Sequence, residues 1–151
     1  MQIDLIWLRN DSRLPDWPLG NVWLTEPTPQ AVSHQAEAVS HGSDAEVLCF
    51  WDARLGTPNP ERVAAVIDRP GDVWHAGLRL GMGGKPLLLE HVAPSWMLIV
   101  DPDPEREATS WRLSLRACLV KREVLQVLKG PLPTFRTLAG ASLEMGHRYL
   151  M

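Results

Sequence analysis

Short apolar runs separated by segments of helical pattern organise the first seventy residues. Three of these runs have the length of buried strands, namely Ile3–Leu8, Val22–Leu24 and Val47–Trp51. A Thr-Pro pair, a usual start of a helix, opens the segment 28–42, and an Asn-Pro pair opens a shorter one over 59–70. Strands and helices that alternate in this way are typical of α/β proteins. We therefore predict a single α/β domain over residues 1–151, with a mostly parallel sheet flanked by helices.

The second half of the chain shows the same patterns less regularly. Trp96–Val100 is another apolar run and is predicted to be a strand. From Arg112 onward polar and apolar residues alternate, which predicts a strand with one solvated face that continues to Val120. A helix is predicted over 122–129, and a last helix follows in which one face is shared by Leu138, Ala141, Met145 and Tyr149.

Composition and charge exclude several classes of partner. A net charge of −3 and a pI near 5.9 give no electrostatic reason to expect nucleic acid or an anionic membrane surface. No stretch reaches the roughly 20 apolar residues of a membrane span. The N-terminus also lacks the basic start and the cleavage site of a signal peptide. Cys49 and Cys118 both lie in apolar runs and are predicted to be reduced core thiols, which indicates a cytoplasmic protein.

The last residues, 149–151, lie in mid-helix and carry no polar tail. This pattern is expected if the domain is incomplete at its C-terminus. It is equally expected if the last helix packs on a partner, which makes a homo-oligomer through that helix the corresponding prediction.

Carboxylates follow two of the predicted strands. Asp52 ends the apolar run 47–51, and open α/β sheets bind ligands where their strands end. Asp101 and Asp103 follow the run 96–100 as an Asp-x-Asp pair, which makes them a rival metal site. Both positions have a purely structural alternative, because Asp52 alone ends a strand equally well and the prolines around Asp101 and Asp103 also form a rigid solvated turn.

Three segments taken together resemble the nucleotide-sugar-binding GT-A domain of family 2 glycosyltransferases. They are Phe50–Ala53 (FWDA), Lys121–Leu125 (KREVL) and Ala141–Arg148 (ASLEMGHR). The resemblance covers most of the chain from about residue 28 onward. It implies a GT-A-like, Rossmann-like fold, a nucleotide-diphosphate sugar donor, an acceptor of unknown identity, and a divalent cation, Mg²⁺ or Mn²⁺, at the donor phosphates.

The resemblance also implies roles at the donor side of the site. Asp52 corresponds to the first acid of the family's Asp-x-Asp metal motif, and Arg54 stands where the second acid would be. One carboxylate still suffices to hold a metal through water or to contact the ribose, and the Arg54 guanidinium is expected to neutralise donor phosphate. Arg9 and Asn10, after the first strand, occupy the position that contacts the nucleobase.

At the acceptor side the resemblance implies a general base on the last helix. Inverting transfer needs a base within hydrogen-bond reach of the acceptor hydroxyl. The family's usual base position corresponds to Ala141 or Ser142, so the candidates are Glu144 and His147. Arg148 is predicted to contact phosphate or to position the helix end. The structural alternative for these three residues is a solvated helix face with local ion pairs.

Two alternatives to an active enzyme stay open. The first is a catalytically inactive GT-A-like domain used for binding or assembly, which the loss of the acidic motifs favours. The second is an α/β domain without any link to sugars, in which common strand–turn–helix chemistry produces the motif likeness. Binding of nucleotides and nucleotide-sugars separates these possibilities.

Overall fold

The structure of the chain, a computed structural model, describes residues 1–9, 11, 13–76 and 112–151. Asn10, the predicted strand 96–100 and the Asp101/Asp103 pair lie outside these residues. The described strands are β1 (Ile3–Leu8), β2 (Val22–Thr25), β3 (Val47–Asp52), β4 (Val73–His75) and β5 (Ala117–Lys121). The described helices are α1 (Pro29–Gly42), α2 (Pro60–Ile67), α3 (Arg122–Leu128) and α4 (Leu138–Leu150), and a short 3₁₀ turn, Ala53–Leu55, follows β3.

The strands form one mixed sheet in the order β2–β1–β3–β5–β4. Strand β1 pairs in parallel with β2 and with β3, whereas β5 is antiparallel to both β3 and β4. The predicted α/β fold with flanking helices is confirmed. The sheet is less parallel than predicted, because β5 returns between two strands that run the other way.

The predicted helix starts are confirmed by their cap hydrogen bonds. The Thr28 hydroxyl accepts from the amide of Ala31 at 3.2 Å, and Pro29 is the first helical residue of α1. Helix α2 begins in the same way, since the Asn59 side chain accepts from the amide of Arg62 at 3.0 Å. These side chains satisfy backbone donors that have no partner within the helix.

Apolar residues cover both faces of the sheet. On one face α1, α3 and α4 pack over a cluster centred on Phe50 and Leu48, which are fully buried. On the other face α2 and the Trp17 segment cover Leu5 and Cys49. The predicted apolar face of the last helix is confirmed, with Ala141 and Met145 buried and Leu138 and Tyr149 packed against the first cluster.

The strand predicted from Arg112 begins later, at Ala117. The amide of Asp52, the last residue of β3, donates to the carbonyl of Arg116 at 2.8 Å. Because β3 ends there, the residues before Arg116 have no neighbouring part of β3 with which to pair. The segment 112–116 instead turns, and Leu113 and Leu115 are both buried. The following helix also ends one residue early, because Lys129 adopts a positive φ of 66°.

Both cysteines are free and buried, as predicted. Burial raises the pKa of the Cys49 thiol to about 12 and raises that of Cys118 as well, so both are protonated and unreactive at neutral pH. No helix within the described ranges is long and apolar enough to cross a membrane.

Candidate functional site

The sheet topology brings distant residues together at one edge. Strands β1, β2 and β3 are parallel, and their register places Leu8 beside both Thr25 and Asp52 at this edge. Because β5 is antiparallel to β3, its beginning rather than its end lies at the same edge. Arg116, directly before β5, therefore lies next to Asp52, from which it is 64 residues distant in sequence.

Two arginines hold the Asp52 carboxylate. Arg54 donates from Nε to both carboxylate oxygens at 3.1 Å and from Nη2 to Oδ2 at 2.7 Å, and its amide donates to Oδ1 at 2.9 Å. Arg116 Nε donates to Oδ2 at 3.1 Å. The Asp52 side chain is only 3% exposed, whereas those of Arg54 and Arg116 are 73% and 50% exposed. The carboxylate thus anchors two guanidinium groups that remain open to solvent.

These contacts keep Asp52 ionised. Burial alone would raise the pKa of its carboxyl group, but the hydrogen bonds from the Arg54 side chain and amide, the Arg54 charge and the hydrogen bond from Arg116 together lower it below the ordinary value. The same pairing raises the pKa of Arg54. Asp52 and Arg54 are therefore both charged at neutral pH.

A cleft of about 450 Å³ opens beside this cluster. Arg54, Arg116 and Arg136 are the cationic residues among its described lining, and Asp52 is the acidic one. The remaining lining comes from the loops and helix starts around the cluster: Pro27, Thr28, Pro29, Leu113, Ser114, Thr137, Leu138, Ala139 and Ser142.

The first residues of two helices line this cleft. Thr28 and Pro29 begin α1, and the lining residues Thr137, Leu138 and Ala139 begin α4. Neither helix has an acidic residue in its first turn. The partial positive charge of each N-terminus is therefore not offset by a side chain of its own helix. These termini add to the positive potential that the arginines create.

Arg136 supplies the third cation of the cleft. Its side chain is exposed and forms no hydrogen bond or ion pair with the part of the chain that the structure describes. Counting formal charges, three arginines against one carboxylate leave the described lining with a net charge of +2. The cleft is therefore suited to an anionic ligand, and planar guanidinium groups bind phosphate well.

A divalent cation does not fit at Asp52 as the structure presents it. Both carboxylate oxygens already accept hydrogen bonds from guanidinium groups, and a cation placed there would lie beside two positive charges. No group of three or more metal-ligating side chains occurs among the residues for which the structure gives positions. The metal prediction for Asp101 and Asp103 stays a prediction, since both lie outside those residues.

The structure places Glu144 and Arg148 in a different environment from Asp52. Arg148 donates to both Glu144 oxygens at 2.9 Å, and it also donates to the carbonyls of Leu128 and Gly130 at the end of α3. Tyr149 adds a hydroxyl bond of 2.6 Å to the carbonyl of Lys129. Arg148 thereby fastens α4 to the C-terminal carbonyls of α3, which fits its predicted role of positioning the helix end.

Neither predicted base is brought to the cleft. Glu144 and His147 are both absent from the described lining, whereas Ser142, two residues before Glu144 on α4, belongs to it. Hydrogen bonding to Arg148 lowers the pKa of the Glu144 carboxyl despite the opposing effect of burial. His147 is exposed. Their catalytic role stays a prediction.

Arg9 lies at the same sheet edge as the cleft. Its amide bonds the carbonyl of Thr25 at 2.8 Å, and its side chain pairs with Asp11 at 2.6 Å. It does not belong to the described cleft lining. The predicted nucleobase contact at Arg9 and Asn10 therefore stays a prediction.

Sequence reasoning missed two cationic members of the cleft. The alternating pattern from Arg112 includes Arg116 as one of its polar residues, and no motif singles out Arg136 itself. Only the antiparallel return of β5 brings Arg116 to Asp52. The sequence signal nearest to Arg136 is Thr137, since threonine is a favoured N-cap and here begins α4.

The position of Arg148 leads to a stability prediction. Replacing Arg148 by methionine is expected to lower the free energy of unfolding by about 2 kcal/mol, because the carbonyls at the end of α3 lose their charged donor. Urea denaturation measures this loss, with Arg62→Met on the exposed surface of α2 as the matched control. Unchanged stability together with lost ligand binding would contradict the anchoring role and favour direct phosphate contact.

No protein-family model, no curated protein and no solved structure matches this chain. The class of protein is therefore described from the fold and the site alone. The described part is a small α/β domain with a mixed five-stranded sheet and an arginine-lined cleft at the edge where its parallel strands end.

Proposed function

We propose that this chain is a GT-A-like domain that binds the diphosphate of a nucleotide-sugar in the arginine-lined cleft, as the donor-binding part of a family 2-type glycosyltransferase. The observation that carries the proposal is the Asp52–Arg54–Arg116 cluster at the end of β3. The cluster occupies the position where the sequence resemblance expects the donor phosphates. In open α/β sheets this edge is the usual place for ligands.

The chemistry of the arrangement suits a diphosphate leaving group. Transfer of a sugar from such a donor releases negative charge on the phosphate oxygens, which fixed positive groups stabilise. Arg54 and Arg116 are held in position by a buried carboxylate, so little side-chain freedom is lost when they contact phosphate. The two helix N-termini act in the same direction.

A second candidate function is a catalytically inactive binding module of the same fold. The ion pairs of the two candidate acids favour it, because Asp52 is bound by two arginines and Glu144 is bound by Arg148. In that case the cleft binds its nucleotide without transferring the sugar. In either case the buried protonated thiols fit a reducing compartment, and we propose a cytoplasmic location.

The proposed function is tested by binding of UDP and GDP and of their sugar conjugates, followed by calorimetry and thermal shift. We expect a nucleotide diphosphate to bind at least tenfold more tightly than the corresponding nucleoside, because the nucleoside lacks the charged groups that the arginines contact. Arg62→Gln removes an arginine outside the cleft and is expected to bind as the unaltered chain does. Failure of every nucleotide to bind would contradict the proposal.

Activity then separates the two candidates. An enzyme releases nucleotide diphosphate from its nucleotide-sugar, whereas an inactive module binds the same compound unchanged. If release occurs, Glu144→Gln and His147→Ala identify the base, because loss of the base lowers the rate by about 10²–10⁴-fold. Retained release in both variants would place the base elsewhere in the chain.

A further inference from the structure

We infer that the cleft binds its anionic ligand without a divalent cation, with Arg54, Arg116 and Arg136 supplying the positive charge that a metal would otherwise bring. The inference rests on the proposed function for the nucleotide part of the ligand. For the phosphate part it rests only on the geometry and charge of the cleft. It departs from the metal dependence that the sequence resemblance implies.

The anchoring of the arginines is the first argument. Arg116 uses only Nε on Asp52 among the residues described, and Arg54 uses Nε and Nη2. A guanidinium has five N–H donors in a rigid planar arrangement, so each arginine keeps donors for a ligand. Both side chains are at least half exposed, while Asp52 beneath them is 3% exposed. The buried carboxylate therefore serves to orient the guanidinium groups.

The charge of the cleft is the second argument. A protein site usually holds a divalent cation through one or more carboxylates, and the one carboxylate in the described lining already accepts from two cations. An added cation would increase a net charge that is already +2. A diphosphate has the opposite charge and offers acceptor oxygens to each of the three arginines. The charge thus favours the bare anion over its metal complex.

The size of the cleft is the third argument. At about 450 Å³ it lies within the range of roughly 300–1,000 Å³ that small-ligand sites occupy. It exceeds what an isolated phosphate group needs, and its lining includes the apolar residues Leu113 and Leu138 besides the arginines. A phosphorylated organic ligand fits a lining that combines charged and apolar residues.

Calorimetry with the full chain tests the inference, with inorganic pyrophosphate and UDP titrated separately in EDTA and in Mn²⁺. We expect both compounds to bind in EDTA, with affinities that Mn²⁺ leaves within about threefold or weakens. Arg136→Gln is expected to lower both affinities about tenfold, as loss of one charged hydrogen bond does. Its side chain has no partner in the described part of the fold, so the variant is expected to remain folded. Arg62→Gln removes the same charge from an exposed site on α2 and is expected to have no effect.

The outcomes separate this inference from the proposed function. UDP binding that appears only with Mn²⁺ would overturn the inference and leave the proposed function intact. Pyrophosphate binding in EDTA without tighter binding of any nucleotide diphosphate or nucleotide-sugar would support the inference and contradict the proposed function. Equal affinities for Arg136→Gln and Arg62→Gln would overturn the assignment of the cleft as the phosphate site. Failure of both compounds to bind under any condition would overturn both proposals.

Discussion

Replacing Asp4 by alanine is expected to lower the free energy of unfolding by about 3 kcal/mol or more, because several donors lose a buried charged acceptor at once. Asp4 lies in β1 and is fully buried. Its carboxylate accepts from the Ser43 hydroxyl at 2.6 Å, from Trp23 Nε1 at 2.8 Å and from the Asn21 amide at 2.8 Å. One side chain therefore joins β1 to the start of β2 and to the end of α1.

The backbone packs closely against Asp4. A Cβ atom built on Gly20 would lie 2.4 Å from the carbonyl oxygen of Ile3 and 2.5 Å from Asp4 Oδ1, so the chain passes directly against the carboxylate. Trp17 Nε1 donates to the same Ile3 carbonyl at 2.7 Å and fixes the segment there. The Ser43 hydroxyl belongs to a residue that is only 4% exposed, and it is expected to remain unsatisfied when its acceptor is lost.

Urea denaturation of Asp4→Ala measures this loss against Asp44→Ala, which removes a carboxylate from a nearby exposed position. Asp44→Ala is expected to change stability by less than about 0.5 kcal/mol. Equal stabilities of the two variants would contradict the proposed role of Asp4. Asp4 lies near the start of β1, whereas the cleft lies beyond the ends of β1–β3, so ligand affinity of the folded Asp4→Ala protein is expected to be unchanged.

The stability contribution of Asp4 is also expected to depend on pH. Burial alone would raise the pKa of its carboxyl, but the hydrogen bonds from Ser43, Trp23 and Asn21 outweigh burial and lower it below the ordinary value of 3.8. A lowered pKa means that the stabilisation is complete above the pKa of the unfolded chain and is lost as the pH falls through the folded value. Below about pH 4 the stability of the unaltered chain is therefore expected to fall more steeply than that of Asp4→Asn. Parallel pH profiles would contradict this assignment.

Replacing Phe50 by alanine is expected to lower the free energy of unfolding by about 3–5 kcal/mol, which is typical for removal of a fully buried aromatic ring. Phe50 is 0% exposed and lies in the middle of β3, paired with Ile6 of β1 and Cys118 of β5. Its ring belongs to the apolar cluster that α1, α3 and α4 cover. The cavity left by the substitution would therefore lie where these elements meet.

Chemical denaturation measures the effect, and the chain offers a matched control in its second phenylalanine. Phe135, in the loop before α4, is only partly buried, so Phe135→Ala removes the same atoms with an expected loss below about 2 kcal/mol. Similar losses in both variants would contradict the central position of Phe50. Because Asp52 is two residues beyond Phe50 on β3, weaker ligand binding is expected in the Phe50 variant as well.

The structural roles of Phe50 and Asp4 differ in how far they can be predicted from the sequence. The burial of Phe50 follows from an apolar run that is readable by itself. The acceptor role of Asp4 does not, because its only near neighbour among the described donors is Gln2, two residues away. The other three donors, Asn21, Trp23 and Ser43, lie 17 to 39 residues away, and only the folded chain brings them to Asp4. The sequence resemblance also implies no role for Asp4.

At the candidate site the division is similar. Asp52 and Arg54 are two residues apart, and both were identified as site residues because their signal is local. Arg116 and Arg136 were not identified. Arg116 reaches the cleft because β5 runs antiparallel to β3, and Arg136 reaches it because α4 starts there. Glu144 and His147 were grouped with Asp52 through the resemblance, but α4 presents its first turn and Ser142 to the cleft instead.

The sequence by itself determined the strands β1–β3, the starts of α1 and α2, and the reduced state of the two cysteines. Each of these depends on residues close together along the chain, such as an apolar run or an N-cap followed by proline. The tertiary structure decided the direction of β5, the contact of Arg116 with Asp52 and the positive charge of the cleft. These depend on contacts between segments more than sixty residues apart, which arise only when burial of the two apolar faces brings those segments together.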